Sequence, residues 1–353
     1  MSRFISPRFE ALKEYIPGEQ PQDMQYIKLN TNESPYPPSP EVIAALSSAE
    51  CEKLRLYSDP TCRELKAALA ENYGVEPENV IVGNGSDEIL SFIFMAFCDK
   101  NTGVCYPDIS YGFYPVFADL YGLSRCEMPL LDDFSINADD YCEINKTIII
   151  ANPNAPTGIA LPINEIERIV RTNPNNVVAI DEAYVDFGGE SCVALTKKYD
   201  NLLVVQTFSK SRSLAGARLG YAIGSAALIA DMEKLRNSTN PYNINRLSLL
   251  AGTAAVKSRG YYDENCKKII ETREYTKAEL KKLGFSCTDS RTNFVFAAHP
   301  SIGGAELYAG LKKRGVLVRH FSKPRTDSYV RITIGERVQM DALLAAIKEL
   351  LSI

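Results

Sequence analysis

The sequence predicts an α/β protein with a second, smaller α+β lobe, and three observations carry that expectation. From about residue 60 to 225, amphipathic helix patterns alternate with short, continuously apolar runs. After about residue 240 the texture changes to long helices followed by a group of short strands. The chain has 353 residues, more than one hydrophobic core usually organises. The expected division is a large lobe over residues 30–240 and a small lobe built from residues 1–29 and 241–353.

Taken in order, residues 62–73 read as an amphipathic helix, with Leu65, Leu69 and Tyr73 on one stripe. Residues 80–82 are a short apolar strand, and Ser86 or Asp87 is the expected cap of the helix that follows. The runs 146–151, 177–180 and 202–207 are apolar along their length. That pattern suits strands covered by helices on both faces of a sheet. In the second lobe, 244–257 and 262–283 read as helices. Residues 293–298, 316–320 and 329–334 read as strands around a helix at 305–313. The residues before about 30 hold little core of their own and are expected to lie across the small lobe.

Composition excludes several classes. Apolar residues make up 45% and charged residues 24%, and the net charge is −5 with no basic block. Nucleic-acid binding, which needs clustered Lys and Arg, is not expected. No run of about 18 apolar residues marks a membrane span, and the first fifteen residues lack an apolar signal core. Nine cysteines are scattered without a CxxC pair, beside two histidines. No metal site is expected from such a distribution. An odd, dispersed set of cysteines reads as reduced thiols in the cytoplasm.

Five segments carry chemistry. In the segment from Thr207 to Tyr221, a buried strand delivers Ser209 and Lys210 into a loop rich in Gly, Ser and Ala, and Arg218 follows eight residues after the lysine. A lysine pressed against an apolar sheet loses stability as ammonium and becomes nucleophilic. Ser209 and Arg218 beside it suit a phosphate. A lysine with a phosphate cradle is what covalent binding of pyridoxal phosphate requires. Asp181, in Val178-Ala179-Ile180-Asp181-Glu182-Ala183-Tyr184, ends a second buried strand, where a carboxylate needs a partner. It suits either a pyridinium nitrogen or a helix cap, and Tyr184 suits a phenolic oxygen. Asn152-Pro153-Asn154-Ala155-Pro156-Thr157-Gly158 is a rigid loop at a strand end, where open α/β sheets bind ligands. Gly83-Asn84-Gly85-Ser86-Asp87-Glu88 is a Gly-rich turn into a helix, suited to an anion. Glu88 stands where a dinucleotide fingerprint has its third glycine, so a nicotinamide enzyme is disfavoured. Tyr111, after a strand end, suits either stacking on a ring or core packing.

In this order, the five segments resemble fold-type-I pyridoxal-phosphate aminotransferases, and among these the histidinol-phosphate aminotransferase family. The resemblance runs from Lys28-Leu29-Asn30-Thr31-Asn32-Glu33-Ser34-Pro35-Tyr36 to Val330-Arg331-Ile332-Thr333-Ile334-Gly335. It implies a large domain with a mixed, mostly parallel sheet and a smaller α+β domain. It implies Lys210 as covalent anchor and proton shuttle, Asp181 on the pyridine nitrogen, Tyr184 on the phenolic oxygen and Tyr111 stacked on the ring. Ser86, Asp87, Ser209 and Arg218 fall at the phosphate. Tyr57 matches a residue that reaches the partner subunit's cofactor, which implies a homodimer with shared sites. Arg331 and Arg319 match ligands of the substrate's anionic groups. The implied reaction, a step of histidine biosynthesis, transfers an amino group from L-histidinol phosphate to 2-oxoglutarate, giving imidazole acetol phosphate and glutamate. An aromatic aminotransferase or a threonine-phosphate decarboxylase shares the same cofactor site, and a non-catalytic sensor of pyridoxal phosphate would need a DNA-binding extension that the sequence lacks. Two positions depart from the pattern. Ala155 replaces the loop Asn, leaving Asn154, Asn152 or Tyr184 alone for its contact. Gly18 replaces a substrate-phosphate Tyr, with Tyr15 as its partial substitute.

Overall fold

A computed structural model describes residues 3–352. The strands are β1 (Ile27–Lys28), β2 (Val80–Gly83), β3 (Val104–Pro107), β4 (Arg125–Met128), β5 (Thr147–Ala151), β6 (Val178–Asp181), β7 (Leu202–Thr207), β8 (Gly220–Gly224), β9 (Ser286–Cys287), β10 (Phe294–Ala298), β11 (Val316–Leu317), β12 (Arg319–His320) and β13 (Tyr329–Thr333). The helices are α1 (Pro40–Ala45), α2 (Ser48–Glu52), α3 (Arg63–Tyr73), α4 (Ser86–Phe97), α5 (Phe113–Tyr121), α6 (Ile163–Thr172), α7 (Ala226–Thr239), α8 (Arg246–Lys257), α9 (Arg259–Lys282), α10 (Gly304–Lys313) and α11 (Arg337–Leu351).

Seven strands form the large sheet in the order β2-β8-β7-β6-β5-β3-β4. β8 runs antiparallel to both of its neighbours, and the other pairs are parallel. This is the mixed, mostly parallel sheet expected. Its continuously apolar strands are explained by burial on both faces. Ile148, Ile150, Ile180 and Val204 pack into one core, while Ile149, Ala179, Leu203 and Val205 pack into another on the opposite face. Each such side chain contributes roughly 1.5–3 kcal/mol by leaving water, so both faces must stay covered.

The small lobe carries a four-stranded antiparallel sheet, β12-β13-β10-β9. Its core joins Val295 and Ile332 of that sheet to Ile269, Leu311, Met340, Leu343 and Ile347 of the covering helices. The N-terminal segment lies on this lobe. β1 pairs in parallel with β11, Leu29 enters the core, and the Glu19 carboxylate is held by Tyr308 and Lys312.

Three expectations need correction. Residues 316–320 are not one strand: β11 pairs with β1 and β12 with β13, because the N-terminal segment occupies the edge that a continuous strand would use. Neither Ser86 nor Asp87 caps α4. Gly85 does so from a backbone φ of +81°, a conformation that glycine adopts without steric cost. The division of cores does not fall at 240. Ala251, Ala255 and Val256 of α8 and Tyr262 of α9 pack with the large-sheet core. A Cβ on Gly252 would meet Leu65 and Leu219, so this helix seats closely on α3 and the large lobe. From Cys266 and Ile269 onward, α9 enters the small-lobe core. At 24 residues, about 36 Å, that helix is long enough to serve both lobes.

The strand ends place the site. β2, β3, β5, β6 and β7 all point their carboxyl ends to one edge of the large sheet, and β8 begins there. The five loops singled out from the sequence converge on that edge.

Candidate active site

β7 ends at Thr207, and the chain turns so that Lys210 enters a cavity of about 420 Å³. Ser86, Asp87, Tyr111, Asp181, Tyr184, Ser209 and Arg218 line the same cavity. The Lys210 Nζ donates to the Thr31 carbonyl at 3.1 Å and lies 5.7 Å from the centroid of the Tyr184 ring. Burial, and next the Arg331 guanidinium, bring its ammonium down to about 8. Glu33 and Asp87 oppose that shift. A far larger share of free amine than an ordinary lysine has is then present near neutral pH, as a nucleophile or proton carrier needs.

Asp181, the last residue of β6, is buried. Its Oδ2 accepts from the Tyr114 hydroxyl at 2.8 Å, and its Oδ1 accepts from the Ala183 N–H at 3.3 Å. Burial pushes the carboxyl up to about 6 despite both bonds. Among the described residues no cation pairs with it directly, and a buried carboxylate of this kind fits a cationic ring nitrogen.

At the other end of the cavity lies the start of α4. Gly85 brings no side chain to cap it, so the first-turn N–H groups remain available to an anion. The Asp87 carboxylate is held by the Tyr111 hydroxyl at 2.7 Å and by the Arg218 guanidinium at 3.3 Å. Burial, and then Asp87, raise the Tyr111 hydroxyl well above its ordinary range. Arg218 itself holds a left-handed backbone, φ 51°. A Cβ on Gly85 would run into its guanidinium, and a Cβ on Gly220 would run into the Gly85–Ser86 backbone. The close approach of β8, Arg218 and α4 therefore depends on two glycines. This cradle, with Ser209 and Ser86, fits a phosphate group, and the lysine and buried carboxylate fit the remainder of pyridoxal phosphate.

Arg331 and Arg319 stand to the small-lobe side. Arg331 donates to the Asn30 carbonyl at 3.0 Å, and its buried Nε has no partner. Burial lowers this guanidinium from its ordinary value. Arg319 donates to the carbonyls of Pro17 and Ile16 at 3.3 and 3.2 Å. Tyr15 stacks on Phe113 at 4.6 Å and lies 6.1 Å from Tyr111. Burial raises its hydroxyl while Arg331 and Arg319 pull it back, so the three side chains share one electrostatic neighbourhood.

Arg331, Arg319 and Tyr15 border the cavity without lining it, and Asn154 and Tyr57 lie outside it. Asn154 does not line the cavity. Its amide accepts from Ser110 and donates to Ile109 and Thr157, so the loop consumes it, as it does Asn152 through Leu161. Tyr57, expected at a partner subunit's cofactor, is 79% exposed, lies away from this cavity and stacks on Tyr242. Other residues were missed. Gln20, Thr31 and Glu33 line the cavity, Tyr114 holds Asp181, and Asn32 donates to Tyr184 at 2.9 Å. A buried Asp at a strand end signals that some donor must exist, but nothing local says which tyrosine supplies it.

Residues 24–347 match the family described as aminotransferase class I and II. The chain belongs to that family. Among curated members it is 50% identical, over 349 residues and 99% of both chains, to the histidinol-phosphate aminotransferase of Brachyspira hyodysenteriae. The protein of the same name from Marinomonas sp. is 52% identical over 353 residues, covering 99% of this chain and 100% of the relative. This aminotransferase fold also superposes on the Sinorhizobium meliloti histidinol-phosphate aminotransferase, solved in complex with pyridoxal-5'-phosphate. There the TM-score is 0.89 at 23% identity, covering 100% of this chain and 98% of that one.

Proposed function

We propose that this aminotransferase uses pyridoxal phosphate to transfer the amino group of L-histidinol phosphate to 2-oxoglutarate. The observation that carries the reading is Lys210, brought to about 8 in a cavity between the buried Asp181 carboxyl and the Ser86–Arg218 cradle. The full-length relatives at about half identity, named histidinol-phosphate aminotransferase, support the substrate.

When bound, pyridoxal phosphate supplies an electron sink for the charge left at the substrate's α-carbon. Lys210 would hold the group covalently, and its Nζ, partly deprotonated at neutral pH, would carry the substrate's α-proton. Asp181 would keep the ring nitrogen protonated, and Tyr184 would donate to the phenolic oxygen. Tyr111 would stack on the ring, while Ser86, the Asp87 N–H, Ser209 and Arg218, which line the same cavity, would bind the phosphate. Arg331, with its unpartnered Nε, and Arg319 receive a phosphate ester in one half-reaction and a dicarboxylate in the other, since a guanidinium fork suits both anions. Tyr15 closes the same side.

The protein acts as a homodimer in this reading, with Tyr57 completing the partner's phosphate site. Its exposure, beside exposed Leu54 and Leu56, supports an apolar contact between copies. The nine free cysteines support a cytoplasmic location. Among the described residues no helix is long and apolar enough to cross a membrane.

The test is spectroscopic. The cofactor-loaded protein is mixed with L-histidinol phosphate and then with 2-oxoglutarate. Loss of the visible band on the first addition and its return on the second are expected. Bleaching only with phenylalanine or another amino acid moves the substrate elsewhere.

A further inference from the structure

Asn32 is a buried residue with left-handed backbone, φ 56°, a conformation that, apart from glycine, asparagine adopts most readily. Each of its polar groups is engaged. Its N–H donates to the Thr333 hydroxyl at 3.0 Å, and that hydroxyl donates back to Oδ1 at 3.0 Å. Its carbonyl accepts from the Asn293 amide at 3.0 Å, and its Nδ2 donates to the Tyr184 hydroxyl at 2.9 Å. Thr333 ends β13, two residues after Arg331 and on the same face of the strand. One side chain thus ties the Arg331 strand to the tyrosine beside Lys210.

Counting protons gives the bond its direction. The Thr333 hydroxyl accepts the Asn32 N–H, so its single proton goes to the amide oxygen, and the Asn32 nitrogen is left facing Tyr184. A tyrosine hydroxyl that accepts from an amide keeps its own proton for another acceptor. Tyr184 lines the cavity, and so does Ala155, which offers no polar group there. The loop amides of Asn152 and Asn154 are already used.

We propose that Asn32 is a positioning residue, holding the Tyr184 hydroxyl as a donor toward the cofactor's phenolic oxygen and standing in for the amide absent at Ala155. The inference rests on the pyridoxal-phosphate reading above.

The visible absorbance of the cofactor-loaded protein, recorded across pH, tests it in four forms: unaltered, Asn32→Gly, Tyr184→Phe and the double variant. Glycine keeps the left-handed backbone and removes the amide. A phenolic oxygen that loses a donor holds its proton more tightly. Each single variant should therefore raise the midpoint of the visible transition by roughly half a pH unit or more. The double variant should go no further than Tyr184→Phe alone. Additive shifts, or an unshifted midpoint in Asn32→Gly, overturn the proposal. A purely structural Asn32 would lower the melting temperature and leave the midpoint in place. If Asn32→Gly does not fold, Asn32→Asp serves, because it keeps the Thr333 contact and offers Tyr184 an acceptor. Its midpoint must also rise, and an unchanged value overturns the proposal. An unaltered protein that develops no visible band with pyridoxal phosphate removes the functional reading itself. A band indifferent to Asn32 removes this inference alone.

Discussion

Lys210 and Asp181 are both pushed toward their neutral forms, because burial in the cavity strips water from the charge. For Lys210 the consequence is chemical. In the cofactor-free protein, reaction of Lys210 with an amine-directed reagent should show a pH midpoint near 8, not near 10.5. Arg331→Gln should move that midpoint upward, since Arg331 is the second cause of the shift. Peptide mapping of the labelled lysine measures both, and an unshifted variant would remove Arg331 from the lysine's surroundings. For Asp181 the consequence is thermodynamic. Its folded value, about 6, lies above the ordinary 3.8. Between those values the folded chain retains a proton that the unfolded chain has released. The stability from this group is therefore full below about pH 4 and is lost as pH rises through 6. Asp181→Asn, without cofactor, should melt with the unaltered protein at pH 4 and a few degrees above it at pH 7. A difference that does not depend on pH would contradict the shift.

At the scale of elements, the cradle depends on how closely β8 passes the start of α4. Gly220 leaves no room for a Cβ against the Gly85–Ser86 backbone. Gly220→Ala must push the helix start away from Arg218. Its dissociation constant for pyridoxal phosphate should rise by roughly tenfold or more, a loss of ~1.4 kcal/mol. Gly260→Ala, where a Cβ meets nothing within 4 Å, is the control. Equal affinities in titrations of the two variants would mean that the cradle tolerates the displacement. The strands around it were readable because burial on both faces leaves a continuous apolar signature. At 316–320 the local pattern of one strand is produced by two short strands in different sheets.

For the whole molecule, the proposed shared site makes activity a property of two chains. Lys210→Ala and Tyr57→Ala should each lose turnover, the first by about 10²–10⁴-fold, the worth of a positioned proton-transfer group. Mixed and allowed to exchange subunits, the two inactive variants should recover activity, since one hybrid site then has both residues. Recovery measured by product formation supports the shared site, and no recovery after verified exchange places Tyr57 outside it. The division between lobes is likewise a whole-molecule property. The boundary expected at 240 followed a change in local texture, whereas α8 belongs to the large core because its small residues fit against α3.

Written along the chain are the large sheet, most of its helices and the places of Lys210, Asp181 and Arg218 beside the strand ends. Each of these is announced by neighbours a few residues away: apolar runs, a glycine before a helix, a serine beside the lysine. Long-range packing supplied the rest. Tyr114 reaches Asp181 across 67 residues, Asn32 reaches Tyr184 across 152 and Thr333 across 301. A donor at such a distance leaves no periodic mark in the sequence. Its partner is chosen by which strands lie side by side and how closely the helices seat on them, and that choice is made when both cores close.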